Sequence, residues 1–122
     1  MFHGCASLTS TPKVLPATTL AIYCYESMFW NCTSLTSAPE LPATELADNC
    51  YDGMFLGCTS LTSAPELPAT KLADNCYNSM FSGCTKITEL HYPKSIENDS
   101  TFKNLFESPD FGAYNATVYY DL

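Results

Sequence analysis

Basic residues are scarce in this sequence. Its 122 residues include five Lys and Arg together against 13 Asp and Glu, which gives a formal net charge of -8 at pH 7. A surface with this excess of negative charge repels nucleic acid and anionic lipid. The composition therefore argues against nucleic acid and membrane surfaces as partners.

Long apolar segments are also absent. No stretch approaches the roughly 18 consecutive apolar residues of a membrane-spanning helix. The N-terminus has neither a basic start nor an uninterrupted apolar segment. The sequence thus predicts no membrane insertion and shows no targeting signal.

Motifs of catalytic and metal sites are missing as well. There is no Cys-x-x-Cys pair, no glycine-rich phosphate loop and no nucleophile elbow, and His3 and His91 do not recur with the cysteines. We therefore expect no enzymatic activity, no catalytic residue, no cofactor and no metal. His91 is interpreted as a half-exposed strand residue rather than a general base. Asp48, Asn49 and Asp52 lack the loop spacing of a calcium site, which favours a solvated helix face.

The sequence does contain an internal repeat. "MFWNCTSLTSAPELPATELADNCYDG" (28–53) is followed directly by "MFLGCTSLTSAPELPATKLADNCYNS" (54–79), and the two differ at only five positions: 30/56, 31/57, 45/71, 52/78 and 53/79. Residues 1–27 fit the same frame with one extra residue, and 80–105 form a degenerate fourth unit. A fixed period of this size predicts a solenoid, in which each unit buries its apolar face only against its neighbours.

The seven cysteines follow this period in two columns: Cys5, Cys32, Cys58 and Cys84 in one, and Cys24, Cys50 and Cys76 in the other. Free cysteine behaves as a small buried apolar residue, so stacked reduced columns would fill the core. Disulfides between adjacent coils are the alternative, because strand spacing brings equivalent residues within bonding reach. The sequence leaves both open.

Each unit is predicted to contain a short strand, a corner and a helix. The strand covers residues 35–38, and the two following prolines keep it short. Thr44 is placed to cap a helix whose apolar side recurs at i, i+1, i+4, i+5, i+8 and i+9. The helix is expected to end at a left-handed residue, since this position carries glycine or asparagine in every unit: Gly4, Asn31, Gly57 and Gly83.

The columns "MFxGCTSLT" and "LPAT" resemble the bacterial surface leucine-rich repeat proteins, in particular the BspA-like type with units of this length. The resemblance covers about residues 1–90. It implies an α/β class fold, a right-handed leucine-rich-repeat solenoid of strand-plus-helix coils. It also implies an extracellular or cell-surface location.

The two ends of the repeat are expected to differ. Residues 106–122 depart from the repeat and are predicted to form a β cap, with a last strand at 117–120 and with Phe111 and Tyr114 covering the core. The whole of 1–122 is then one domain. "MFHGC" at the start corresponds to the end of a unit, so an upstream coil of a longer protein is expected. The open strand edge at Leu8 is expected to take up that coil or another copy of the chain, giving end-to-end self-association.

The resemblance makes the concave strand face the binding surface. A uniform row of hydroxyls and acids recurs there and suits a repetitive ligand; it comprises Thr36, Ser37, Glu40, Thr62, Ser63, Glu66 and Thr88. Recent duplication with no binding is the alternative. Variation between units is expected to be confined mainly to the outer helix face.

A second surface is predicted in the first unit. Ile22 and Tyr23 replace an Asp-Asn pair, and Trp30 lies seven residues after Tyr23, so the aromatics should share one exposed helix face. They would either bind a partner or cover the ragged N-terminal end. By resemblance we expect a non-enzymatic recognition or adhesion segment that contacts a protein or glycan of a host or neighbouring cell. The alternative is a structural spacer with no ligand.

Overall fold

Residues 4–102 and 116–122 are described by a computed structural model. Within these ranges, the regular elements are strand β1 (Glu89–His91), strand β2 (Thr117–Tyr119) and a 3-10 helix at Lys94–Ile96. Residues 100–102 are also helical. The two strands pair in parallel, with Leu90 opposite Val118.

Most of the fold consists of backbone segments that stack with the period of the sequence repeat. Parallel bridges join Val14 to Glu40, Ser37 to Ser63 and Glu45 to Lys71. Equivalent positions of neighbouring units therefore lie side by side on successive circuits of the chain, which we call coils. The short strand expected at 35–38 is reduced to the single bridge at Ser37.

The helix expected at 44–57 does not form. Residues 22–31, 48–57 and 74–83 are instead continuous turns, which we call the first, second and third turn ladders. The N–H groups of even-numbered residues donate to the carbonyl three residues back, as Asp52 does to Asn49 (3.3 Å). Those of odd-numbered residues donate to the following ladder, as Tyr51 does to Cys76 (3.1 Å). In an α-helix, each N–H would instead bond four residues back within its own segment.

Left-handed residues recur at every fourth position of the ladders. In the second ladder they are Asn49 (φ 57°), Gly53 (φ 60°) and Gly57 (φ 77°). The same positions carry positive φ in the first and third ladders: Tyr23, Ser27, Asn31, Asn75, Ser79 and Gly83. The left-handed conformation expected at positions 4, 31, 57 and 83 is thus confirmed, but positions 31, 57 and 83 belong to repeating turns rather than to helix ends.

The core consists of columns of identical side chains. Tyr51 stacks between Tyr25 (6.1 Å between ring centroids) and Tyr77 (6.0 Å). Phe55 stacks in the same way between Phe29 and Phe81, with ring planes within 8°. These rings confirm that equivalent side chains of successive units lie above one another. Burying them on both faces removes apolar area from water, the main favourable contribution to folding.

The C-terminal end of the core is covered by residues outside the regular repeat. The ring of Tyr92 meets Tyr77 edge to face at 5.9 Å, and Phe102 packs on Tyr92 at 4.6 Å. Asp99 accepts the N–H of Phe102 (3.2 Å) and so caps the start of the helical residues. The strand expected at 117–120 is found at Thr117–Tyr119. Phe111 and Tyr114, which are predicted to cover the core, lie outside the described residues.

Candidate binding surface

The residues predicted for the strand face lie together and are exposed. We call them the hydroxyl-acid face: Thr36, Ser37, Glu40, Thr62, Ser63, Glu66 and Thr88. Ser37 pairs with Ser63 through a parallel bridge, and the carbonyl of Thr88 accepts the N–H of Thr117 (2.8 Å). The row therefore runs across successive coils and reaches β2.

The threonines of this face also join the coils. Both the N–H and the Oγ1 of Thr62 donate to the carbonyl of Thr36, each at 3.2 Å. Thr36 makes the same pair of bonds to Thr9, each at 3.5 Å. Each hydroxyl donor is thus used within the stack, while its oxygen retains acceptor capacity for a ligand.

Two adjacent depressions open on this face. One of about 440 Å³ is lined mainly by the proline corners of two coils, with Glu40 and Glu66 at its edge. The other, of about 220 Å³, is bordered by Thr62, Glu66 and Thr88. Because Glu66 borders both depressions, they form one continuous acidic surface.

The second depression also contains a histidine whose surroundings were not predicted. The Nδ1 of His91 lies 2.9 Å from Oδ1 of Asp121, and its Nε2 lies 3.5 Å from Glu89. The ring of His91 stacks on Tyr119 at 5.1 Å. The hydrogen bond to Asp121 raises the pKa of His91, since it favours the charged imidazolium. The prediction of His91 as a partly exposed strand residue is confirmed, but only the pairing of β1 with β2 brings Asp121 to it.

The predicted aromatic surface is only partly formed. Ile22 and Tyr23 are 60% and 55% exposed, whereas Trp30 is half-buried. The expectation that Tyr23 and Trp30 share a helix face is wrong, because residues 22–31 are a turn ladder and Tyr23 has a left-handed backbone (φ 61°).

Two of the positions that differ between units form side-chain contacts across coils. Lys71 donates to Glu45 (2.7 Å), and Asn78 donates to Asp52 (3.3 Å). If both units carried the same acid, like charges would meet in these columns. At these two positions, the variation expected on a free outer helix face instead gives complementary contacts between neighbouring coils.

The cluster Asp48, Asn49 and Asp52 is not a solvated helix face. Asp48 accepts the N–H of Asp74 (3.1 Å), and Asn49 donates to Asp52 (3.0 Å). Within residues 4–102 and 116–122, no group of three or more His, Cys, Asp or Glu is arranged to hold a metal ion. These side chains hold the ladders together instead.

All seven cysteines are free thiols. Cys5 and Cys24 are exposed, and the five others are buried. Cys58 donates its S–H to the carbonyl of Phe29 (3.0 Å), and Cys84 to that of Phe55 (3.1 Å). Burial raises the pKa of both thiols to about 12, which keeps them protonated and unreactive near neutral pH.

Across the described part of the chain, no helix has the length and hydropathy needed to cross a membrane. Comparison of the chain with protein-family models, curated proteins and solved structures gives no match. The hydroxyl-acid face and its depressions are therefore the basis for assigning a function.

Proposed function

We propose that this chain is a non-enzymatic recognition or adhesion segment that binds through the hydroxyl-acid face. The observation that supports this is the exposure of the same groups at equivalent positions of successive coils, as in Ser37 beside Ser63. The resemblance to BspA-like leucine-rich repeat solenoids supports an extracellular or cell-surface location. It also makes a protein or glycan of a host or neighbouring cell the expected partner.

The geometry of the face suits a ligand with a repeating structure. Equivalent groups on adjacent backbone segments recur at about 4.8 Å, and the second and third units each offer hydroxyl oxygens and a carboxylate. Individually weak contacts of this kind gain affinity when several form at once. Because the carboxylates of Glu40 and Glu66 line the depressions, the ligand should carry hydroxyl or cationic groups.

The test is an array of glycans and matrix proteins probed with the protein and two double variants. Glu40→Gln with Glu66→Gln removes two charges from the face. Glu26→Gln with Asp74→Asn removes two charges from exposed residues of the turn ladders and gives the same net charge. We expect saturable binding that the first variant weakens and the second retains. Equal loss in both variants would show that overall charge, and not this face, determines binding.

A structural spacer is the second candidate, and one observation favours it. The hydroxyls of Thr36 and Thr62 donate to the backbone of the preceding coil, so these threonines stabilise the stack whether or not a ligand binds. A spacer predicts no saturable binding on the array. Thr62→Val should lower thermal stability under either candidate, since the hydrogen bond is lost while the shape is retained.

A further inference from the structure

The backbone-to-backbone hydrogen bonds between turn ladders all run in one direction along the stack, from the N–H groups of one ladder to the carbonyls of the next. In the second ladder, Asp48, Cys50 and Asp52 accept N–H groups from the first ladder at 2.9 to 3.1 Å. The third ladder accepts from the second in the same way. The first and second ladders therefore present donors toward the C-terminal end, and the second and third present acceptors toward the N-terminal end.

The first ladder has the same carbonyls without these donors. No N–H in residues 4–102 or 116–122 donates to the carbonyl of Ile22, Cys24 or Glu26. Further along the same ladder, the carbonyl of Trp30 accepts a hydrogen bond from the N–H of Gly4 at 2.7 Å. Gly57 makes the equivalent bond to Ser82, also at 2.7 Å. Gly4 thus lies in register with Gly57, the last residue of the second ladder.

Side chains next to these carbonyls in the first ladder are exposed to solvent as well. Cys24 is exposed, whereas Cys50 and Cys76 in the same column are 0% exposed. Ile22 and Tyr23 are exposed apolar residues where the next two units carry Asp and Asn. This combination of unfilled carbonyls and exposed apolar side chains is what a neighbouring coil would cover.

We propose that this N-terminal edge is a docking site for one further coil of the same turn-ladder type. The occupant must present an N–H at every second residue, because the carbonyls of Ile22, Cys24 and Glu26 alternate along the chain. The bonds between the existing ladders show that a coil of this repeat meets that requirement. The occupant should also carry apolar groups that cover Ile22 and Tyr23.

Two N-terminal edges of this chain do not meet the requirement. Two N-terminal edges brought together would place acceptors against acceptors, which leaves every carbonyl without a donor. At the other end of the stack, Tyr92 and Phe102 cover the core. The hydrogen-bond pattern therefore favours an added coil over the end-to-end self-association expected from the sequence.

The test extends the full chain by eleven residues. The sequence of residues 17–27, "ATTLAIYCYES", is placed directly before Met1, so that the equivalents of Tyr23, Tyr25 and Ser27 face the three carbonyls and apolar side chains lie over Ile22 and Tyr23. A scrambled extension of the same composition is the control. The rate of Cys24 alkylation and the melting temperature are measured under reducing conditions.

We expect the ordered extension to slow Cys24 alkylation by at least about tenfold, since reaction then requires local opening. It should also raise the melting temperature, and the scrambled extension should do neither. Unchanged alkylation and melting with the ordered extension would overturn the proposal. So would a dimer of the unextended protein that dissociates when the extension is added, because the edge would then be occupied by a second copy.

Discussion

The side chain of Asn31 occupies the space above Gly57. A Cβ atom at Gly57 would lie 2.1 Å from the Oδ1 of Asn31, far inside van der Waals contact. Both residues have a left-handed backbone, with φ values of 57° and 77°. The difference between units at 31/57 is therefore a steric match, in which the larger residue of one coil requires glycine in the next.

Gly57→Ala is expected to lower the free energy of unfolding by about 1 to 2 kcal/mol, through positive-φ strain and the displacement of the Asn31 side chain by the added Cβ. Gly4→Ala is the matched control, because Gly4 also has a positive φ (71°) but no atom within 4 Å of its Cβ position. It should cost about 1 kcal/mol. Urea unfolding measures both values.

The steric part of this cost can be separated by a double-mutant cycle. Replacing Asn31 by Gly should reduce the cost of Gly57→Ala to about that of Gly4→Ala, since only the backbone strain then remains. If Gly57→Ala costs the same with and without the Asn31 side chain, the two residues do not interact as described.

The ion pair between Glu45 and Lys71 gives a second prediction. Lys71→Glu makes units two and three identical at this position and places two carboxylates side by side. The melting temperature should fall at low salt and recover partly at high salt, because both side chains are exposed and their repulsion is screened.

Lys86→Glu is the control for this effect. Lys86 is exposed, and its replacement changes the net charge by the same amount. A drop of equal size and salt dependence in both variants would assign the effect to net charge rather than to the pair.

The buried thiols predict loss of stability at alkaline pH. Burial raises the pKa of Cys50 and Cys58 to about 12 and that of Cys76 to about 11, from an ordinary value of about 9. The protonated thiols therefore stabilise the fold fully below pH 9. This contribution decreases as the pH rises toward 12, since only the unfolded chain readily loses the protons.

Urea unfolding at several pH values between 8 and 11 should show this decrease. Cys58→Ala removes one titrating group and should make the stability fall less steeply with pH, whatever its cost at pH 8. Native-state alkylation at pH 8 should modify Cys5 and Cys24 first, because they are exposed. If Cys58 were modified as fast as Cys24, its burial in the cysteine column would be contradicted.

The contact between His91 and Asp121 predicts a pH dependence at the C-terminal strand. Asp121 raises the pKa of His91 above its ordinary value of 6.5. The pair therefore stabilises the fold fully below about pH 6.5 and loses this contribution as the pH rises through the folded-state pKa. Asp121→Asn should lower the melting temperature clearly at pH 5.5 and little at pH 8.5.

His91→Gln provides the control for this pair. In that background, Asp121→Asn should have little effect at either pH, since the titrating partner is gone. A pH-independent effect of Asp121→Asn in both backgrounds would show that Asp121 acts only through backbone packing at β2.

The ladders show why the secondary structure was predicted incorrectly. The apolar pairs 46/47, 50/51 and 54/55 recur at every fourth position, as do Asn49, Gly53 and Gly57. An α-helix with 3.6 residues per turn would rotate such a pattern by about 40° every four residues. A repeating four-residue turn keeps it on one side. Four residues are close enough to the helical period that the pattern indicated a helix.

The candidate site was only partly accessible from the sequence. The hydroxyl-acid face follows from the period, because equivalent residues of stacked units must lie in rows. The contact of His91 with Asp121 does not, since the two residues are 30 positions apart and outside the regular repeat. Parallel pairing of β1 with β2 brings them together.

The sequence alone determined that equivalent positions of successive units form columns, because a unit this short cannot bury its aromatic and cysteine side chains without a neighbour. It also determined that positions 4, 31, 57 and 83 take a left-handed backbone, since glycine and asparagine adopt it at low cost. Only the tertiary structure decided that these positions belong to turn ladders. The N–H of an odd-numbered residue can donate outside its own segment only when an adjacent coil supplies the carbonyl. That carbonyl belongs to the next unit of the chain.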